Sequence, residues 1–201
     1  LAQTYMALDR KQDAYKALGK CISNSPSYEM TFHARILQTE AVTTAANAKS
    51  MVKRLKRMAK SDNNKDYLDQ VYYAIGNIHM AQGDTLDAVG AYETGRSKAT
   101  QRTLETAVLL LRLGDIYWEQ RRFDKAQPCF TEAIGLIDKE FENYEEITRR
   151  SKVLDALVPP TTAIHLQDSL QGLATASEGE RLAAIDRVIA ELKKKEEEER
   201  K

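Results

Sequence analysis

Apolar residues recur at three- and four-residue intervals from the first positions of the chain almost to its end, the period of helices with one buried face. Two stretches carry that pattern in the same register: YAIGNIHMAQGDTLDAVGAYETG from Tyr73 and LLRLGDIYWEQRRFDKAQPCFTEA from Leu110. Gly76 and Gly114, Ala88 and Ala126, and Tyr92 and Phe130 form three pairs, each 38 residues apart. Glycine in mid-helix is unfavourable unless a neighbouring helix passes too close for a side chain. The pattern therefore predicts two antiparallel helix pairs in which the glycine of the first helix meets an aromatic wedge from the second. Ala88 and Ala126 keep the second helix slim at the same crossing, and Ile75, Ile78, Leu113 and Tyr117 fill the space around it. Gly83-Asp84 and Arg121-Arg122-Phe123-Asp124 predict short turns, with Gly83 as a left-handed helix cap.

Weaker copies precede these pairs. Ala14, Leu18 and Cys21 have the second-helix spacing, with Pro26 just beyond the helix and Tyr5 on a shortened first helix. Ala48, Val52 and Leu55 repeat it 34 residues later, after a first helix from about Tyr28 to Thr39 with Ala34 at the close contact. SDNNKD at 61–66 reads as a polar loop. This is the spacing of the tetratricopeptide repeat, a helix pair of about 34 residues that stacks into a solenoid. The expected fold class is all-α, a tetratricopeptide-repeat right-handed α-solenoid with C-terminal capping helices. Its repeats occupy 1–139 in about four pairs, the first truncated.

Beyond Asp138 the repeat stops and helical content continues. Over 140–176 one helix is expected from Glu145 to Leu157, ended by Val158-Pro159-Pro160, because the residue before proline is pushed out of helical geometry. Thr161 or Thr162 is then the cap of a second helix bearing Leu166, Leu170 and Leu173. Ser177-Glu178-Gly179-Glu180 is a capping-box pattern opening a last helix over 177–201. Its stripe of Leu182, Ile185, Ile189 and Leu192 suits packing on the preceding helix or over the solenoid end, and its tail KKKEEEERK is expected to fray. The chain opens at Leu1 inside an amphipathic pattern and reads as a fragment of a longer protein.

Composition narrows the chemistry. Thirty Lys+Arg against thirty Asp+Glu give a net charge of zero, which removes the bulk argument for nucleic-acid or anionic-membrane binding. No apolar run approaches the roughly 20 residues of a membrane span. Cys21 and Cys129 lack metal or redox spacing and fall on apolar helix faces, so both read as core thiols. His33, His79 and His165 are too scattered for a metal site, and His79 reads as a packed imidazole. There is no phosphate loop and no nucleophile elbow. Neither an enzyme nor a cofactor is expected.

Two surfaces remain as candidates for binding. First helices of stacked pairs line the concave side of such a solenoid. Repeat register places Arg35, Gln38, Tyr73, Asn77, Met80, Asp115 and Trp118 there as partner-binding candidates. Trp118 has two readings, an aromatic anchor for a peptide or a ring packed on the neighbouring repeat. Tyr73 and Leu111 stand where some cochaperone repeats carry carboxylate-gripping lysines, which argues against that mode. The second surface is KSMVKRLKRMAK, where Lys53, Arg54, Lys56 and Arg57, flanked by Lys49 and Lys60, oppose an apolar face of Met51, Val52, Leu55 and Met58. A basic amphipathic helix can bind an acidic partner, phosphate groups or a lipid surface, and the same pattern also fits a solvated outer helix of a repeat, balanced by acids elsewhere.

Three stretches together, YLDQVYYAIGNIHMAQGDTLDAVGAY, LLRLGDIYWEQRRFDKAQPCF and NYEEITRRSKVLDALVPPTTAIHLQDSLQ followed by ERLAAIDRVIAELKKKEEEE, resemble the SprE/PorW-type repeat lipoproteins of Bacteroidetes gliding motility and type IX secretion. The segment from Asn143 to Gln171, with Val158-Pro159-Pro160, is its specific part. The resemblance implies a non-enzymatic periplasmic scaffold, held at the outer membrane by a lipid anchor outside this fragment. The implied partners are secretion-system components. It carries over no binding residues.

Overall fold

The computed structural model describes residues 1–24, 27–42, 44 and 46–199, and no strand occurs among them. The elements run α1 (Ala2–Ala7), α2 (Lys11–Ser23), α3 (Tyr28–Val42), α4 (Ala48–Ala59), a 3-10 helix at Asp62–Tyr67, α5 (Leu68–Ala81), α6 (Thr85–Lys98), α7 (Leu104–Glu119), α8 (Phe123–Ile134), α9 (Tyr144–Thr175) and α10 (Glu178–Glu199). They form two compact units, Leu1–Lys152 and Val153–Lys201. Pro26 lies outside the described residues, as do Arg200 and Lys201 of the expected fraying tail, which is otherwise helical through Glu199.

The first unit is a stack of helix pairs built on the predicted crossings. A Cβ placed on Gly76 would penetrate the Tyr92 ring, and one on Gly114 would stand 3.0 Å from Phe130 Cε2 and 3.2 Å from Cys129 Cβ. Both rings are fully buried, as are Ala88 and Ala126. Packing density near that of crystals leaves no room for a methyl group here. α5 pairs closely with α6 and α7 with α8, while α6 and α5 both pack on α7 and so join the pairs. Where the third pair meets the fourth, Thr106 donates to the Asp69 carboxylate at 2.7 Å, and both side chains are buried.

The turns repeat one cap. Asp9, Gly83 and Arg121 each stand five residues before the slim alanine of the following helix, and each has positive φ (54°, 76° and 57°). In all three, the next amide donates back to a carbonyl five residues earlier: Arg10 to Tyr5 at 2.8 Å, Asp84 to His79 at 3.0 Å and Arg122 to Tyr117 at 2.8 Å. The amide of the positive-φ residue donates three residues back, to Met6, Met80 and Trp118. These are Schellman caps, and only the middle one uses the residue suited to it.

The second pair departs from expectation. Ala34 is buried, yet it shares a cleft with Leu18 and Cys21 of α2, and α3 packs on α2 rather than closely on α4. Val52 stands where Tyr92 and Phe130 stand in the later pairs, so no ring wedges the two helices together. Instead Phe32 and Ile36 of α3, Leu55 of α4 and Val71, Ile75 and Ile78 of α5 share one core. The SDNNKD stretch is not a loop but the 3-10 helix. Its Asn64 is buried, accepts from the Tyr28 hydroxyl, and donates to the Met58 carbonyl at 2.7 Å.

The second unit corrects two expectations. α9 does not stop at Val158 but continues through Pro159 and Pro160 to Thr175. The Thr161 hydroxyl donates back to the Leu157 and Val158 carbonyls instead of capping a new helix. Each proline lacks the amide that would continue the helical ladder, and the chain stays helical across both. The capping box does form, with Ser177 N donating to Glu180 Oε2 at 2.9 Å and Glu180 N to Ser177 Oγ at 3.4 Å. The stripes are not covered: Leu166 and Leu170 are 59% and 55% exposed, and Leu182 and Ile185 are 56% and 53%.

Gly76→Ala is expected to lower stability by about 1–2 kcal/mol in urea unfolding, because overpacking at about 1–3 kcal/mol exceeds the gain of about 1 kcal/mol in helix propensity. Arg121→Gly is expected to raise it by about 0.5–1 kcal/mol, the relief of left-handed strain less the entropy glycine adds to the unfolded chain. A rising thermal midpoint checks the second substitution.

Candidate functional site

Polar side chains run from helix to helix across α3, α5, α7 and the opening turns of α9. Asn77 Nδ2 donates to Glu40 Oε1 at 3.1 Å, and Asn77 Oδ1 accepts from the Tyr92 hydroxyl at 2.8 Å. The Arg112 guanidinium lies beside that hydroxyl. Arg150 of α9 donates to Asp115 Oδ1 at 2.9 Å and to Glu146 Oε1 at 2.8 Å. Apart from the Arg150–Glu146 bond within α9, each link joins different helices of the first unit, so one ladder fixes the side chains on its first helices.

Burial shapes the electrostatics. Removal from water raises the Glu40 carboxyl above the ordinary glutamate range, and the Asn77 bond only partly offsets it. The Asp115 carboxyl is raised for the same reason, against the pull of Arg150 and Arg112. Burial pushes the Tyr92 phenol up to about 12, Arg112 opposing. The Cys129 thiol goes to about 11, also chiefly by burial, which suits the core role expected of it and leaves almost no thiolate at neutral pH.

Of the residues expected on the concave side, Asn77 and Asp115 belong to this ladder. Tyr73 is half-buried with its ring centroid 5.9 Å from that of Tyr92. Met80 is half-buried. Trp118 is half-buried too and rests at 67° on Phe123, the first residue of its own partner helix, rather than on a neighbouring repeat. Arg35 is exposed, outside the ladder's bonds. Gln38 is buried and donates to the Tyr15 carbonyl of α2 at 3.2 Å, so its amide serves packing. Glu40, Arg112 and Arg150 were missed. Glu40 fell beyond the expected end of α3 at Thr39, and Arg150 belongs to a helix without the small-residue signature, although it follows Asp115 by about one repeat length.

The basic surface is laid out as expected. Lys53, Arg54, Lys56 and Arg57 are exposed, and no ion pair reaches them among the described residues. Leu55 between them is fully buried. The apolar face of α4 is therefore occupied by the core.

A third cluster sits at the turns. Arg10 lies over the Tyr5 ring at 4.8 Å, and Arg122 and Lys125 lie over the Tyr117 ring at 5.1 and 5.7 Å. In the third pair the same positions hold His79, Asp84 and Asp87. The imidazole Nδ1 is 3.5 Å from Asp84 and 3.9 Å from Asp87, and the three ligating groups lie within 4.8 Å of one another. His79 is thus not simply a packed imidazole. Asp84 also accepts the Asp87 amide at 3.1 Å as the cap of α6, so the cluster has a structural role without a metal.

Raised carboxyls give this surface a pH signature. A folded-state pKa above the unfolded one means the folded chain holds that proton more tightly. Stability from Glu40, Asp69 and Asp115 is therefore expected to fall as pH climbs from the ordinary carboxylate range through the raised values. Glu40→Gln, which keeps an acceptor for Asn77, is expected to be more stable than wild type at neutral pH. That advantage should vanish in acid, as read by urea titrations at several pH values.

The pattern described as the tetratricopeptide repeat matches residues 1–28 and 107–140, which hold the α1/α2 and α7/α8 pairs. No curated protein matches the chain. With the glycine–aromatic crossing and the cap recurring in α5/α6, the chain contains tetratricopeptide repeats in an all-α solenoid, a framework for protein–protein interaction.

Proposed function

We propose that the first unit is a docking scaffold whose partner lies along the ladder of Asn77, Arg112, Asp115 and Arg150, with Tyr73 and Trp118 as aromatic contacts. The observation that carries this reading is the ladder itself. It holds charges of both signs and half-exposed rings in fixed positions on successive first helices. Pre-ordered side chains lower the entropic cost of association, and half-buried aromatics are the residues that concentrate binding energy. A partner reading this face presents apolar side chains and both acidic and basic groups.

The finer proposal is that this scaffold works in the periplasm, at the outer membrane, within the type IX secretion and gliding machinery, joining secretion-system components. Support for it comes from the sequence resemblance, above all the segment from Asn143 to Gln171. A general peptide-binding adaptor is the competing reading, favoured by the half-exposed Trp118 ring.

Arg112→Glu combined with Trp118→Ala is expected to lower co-purification of the natural partner at least tenfold while the circular-dichroism spectrum keeps its helical form. In source cells, deletion of 68–139 is expected to stop export of cargo across the outer membrane. Undiminished export with partner capture lost retains the scaffold and removes the secretion assignment. Capture unchanged in the double variant removes the ladder as the docking face.

A further inference from the structure

Between α4 and α6, above a floor supplied by α5, lies a cleft of about 670 Å³. Val52, Ile75 and Ile78 line its depth; Lys49 and Lys56 stand on the α4 wall, and Asp84 and Asp87 on the α6 wall. Gly90 also lines it, in the middle of α6. Glycine is a poor helix former, and elsewhere in the first unit its mid-helix presence has a packing reason. Added Cβ atoms at Gly19, Gly76, Gly95 and Gly114 all meet a neighbouring group within 3.4 Å, whereas one at Gly90 meets nothing within 4 Å. This glycine leaves the wall bare toward the cleft.

We propose that the cleft receives an amphipathic helix of a protein partner, with its apolar stripe on the floor and acidic residues along the edge facing Lys49 and Lys56. Gly90 would do for the partner what Gly76 does for Tyr92, admitting it to backbone distance. This site is separate from the ladder and does not depend on that reading. Charge selects the occupant: among the described residues neither lysine makes an ion pair, so a carboxylate edge meets exposed cations. Asp84 and Asp87 across the cleft repel a phosphate backbone. A membrane surface is disfavoured because the apolar residues of α4 face the core, with Leu55 fully buried.

The probe is a fluorescent 20-residue helical peptide with a leucine stripe, glutamates on one edge and glutamines on the other, titrated into the full chain. The expected result is micromolar binding that weakens with salt and is at least tenfold tighter than for the same peptide with lysines in place of the glutamates. Gly90→Leu is expected to weaken binding at least tenfold with no loss of thermal stability, because leucine is the better helix former. Lys49→Glu with Lys56→Glu is expected to abolish the preference for the glutamate peptide, while the Arg112→Glu, Trp118→Ala variant binds as wild type does. Equal binding of the glutamate and lysine peptides, no binding of either, or unchanged binding by Gly90→Leu overturns the proposal. So does tighter binding of a 20-base-pair DNA duplex or phosphatidylserine vesicles.

Discussion

The structure depends on a ring pressed against a bare helix. At Gly76 and Gly114 the first helix of a pair has no side chain, and Tyr92 or Phe130 fills the gap from the second. The contact sets the distance between the two helices, and the positive-φ cap five residues before Ala88 or Ala126 sets their direction. Tyr92 carries the consequence outward. Its ring closes the crossing inside, and its hydroxyl holds Asn77, which holds Glu40 on the preceding pair. One side chain therefore couples packing within a repeat to the order of the surface between repeats. Phe130 has no hydroxyl, so the fourth pair anchors its surface differently, through Arg150 and Asp115.

Charge follows the same economy of repeated positions with changed residues. At each cap an aromatic or imidazole ring meets the residue after the left-handed one, and in the later two also the residue three further on. Tyr5 and Tyr117 face cations there, while His79 faces two carboxylates. The geometry is conserved by the backbone cap, and the local sign is free to vary. The buried carboxylate of Asp69 and the half-buried ones of Glu40 and Asp115 lie on links between helices and are harder to ionise than free ones. Their bonds thus specify which helices meet, at some cost in stability at neutral pH.

Much of this was legible along the chain because a glycine and an aromatic sixteen residues apart leave a local signature. Gly76 with Tyr92, repeated at Gly114 with Phe130, determines both crossings without knowledge of anything distant. Ala34 shows where that reasoning stops. Alanine is slim but does not demand a ring, and with Val52 in the aromatic position the helix was free to pack on α2 instead. Glu40, Arg112 and Arg150 were hidden for another reason. Their partners lie on other helices, and charged residues are common enough on helix surfaces that spacing alone does not select them. Pro159-Pro160 misled because the rule for the residue before proline describes a local preference, which the helix on either side of it overrides. For the apolar stripes of α9 and α10, periodicity reports a face and not what covers it.

A net charge of zero conceals strong segregation, and segregation is what a scaffold needs. α4 and its C-terminal cap residue hold six cations and no acid between Lys49 and Lys60. The ladder interleaves both signs, with Arg112 and Arg150 set among Glu40, Asp115 and Glu146. A uniformly charged protein attracts every partner of opposite sign over distances near the Debye length, about 8–10 Å in physiological salt. A balanced one with separated patches attracts only at close range, where shape and apolar contact are tested at the same moment. Discrimination then resides in which charges are paired: the ladder's charges already have partners and contribute position, while among the described residues the cations of α4 make no ion pair and contribute attraction. The same solenoid therefore offers two surfaces of different physical character, one ordered by its own bonds and one awaiting its counter-charge.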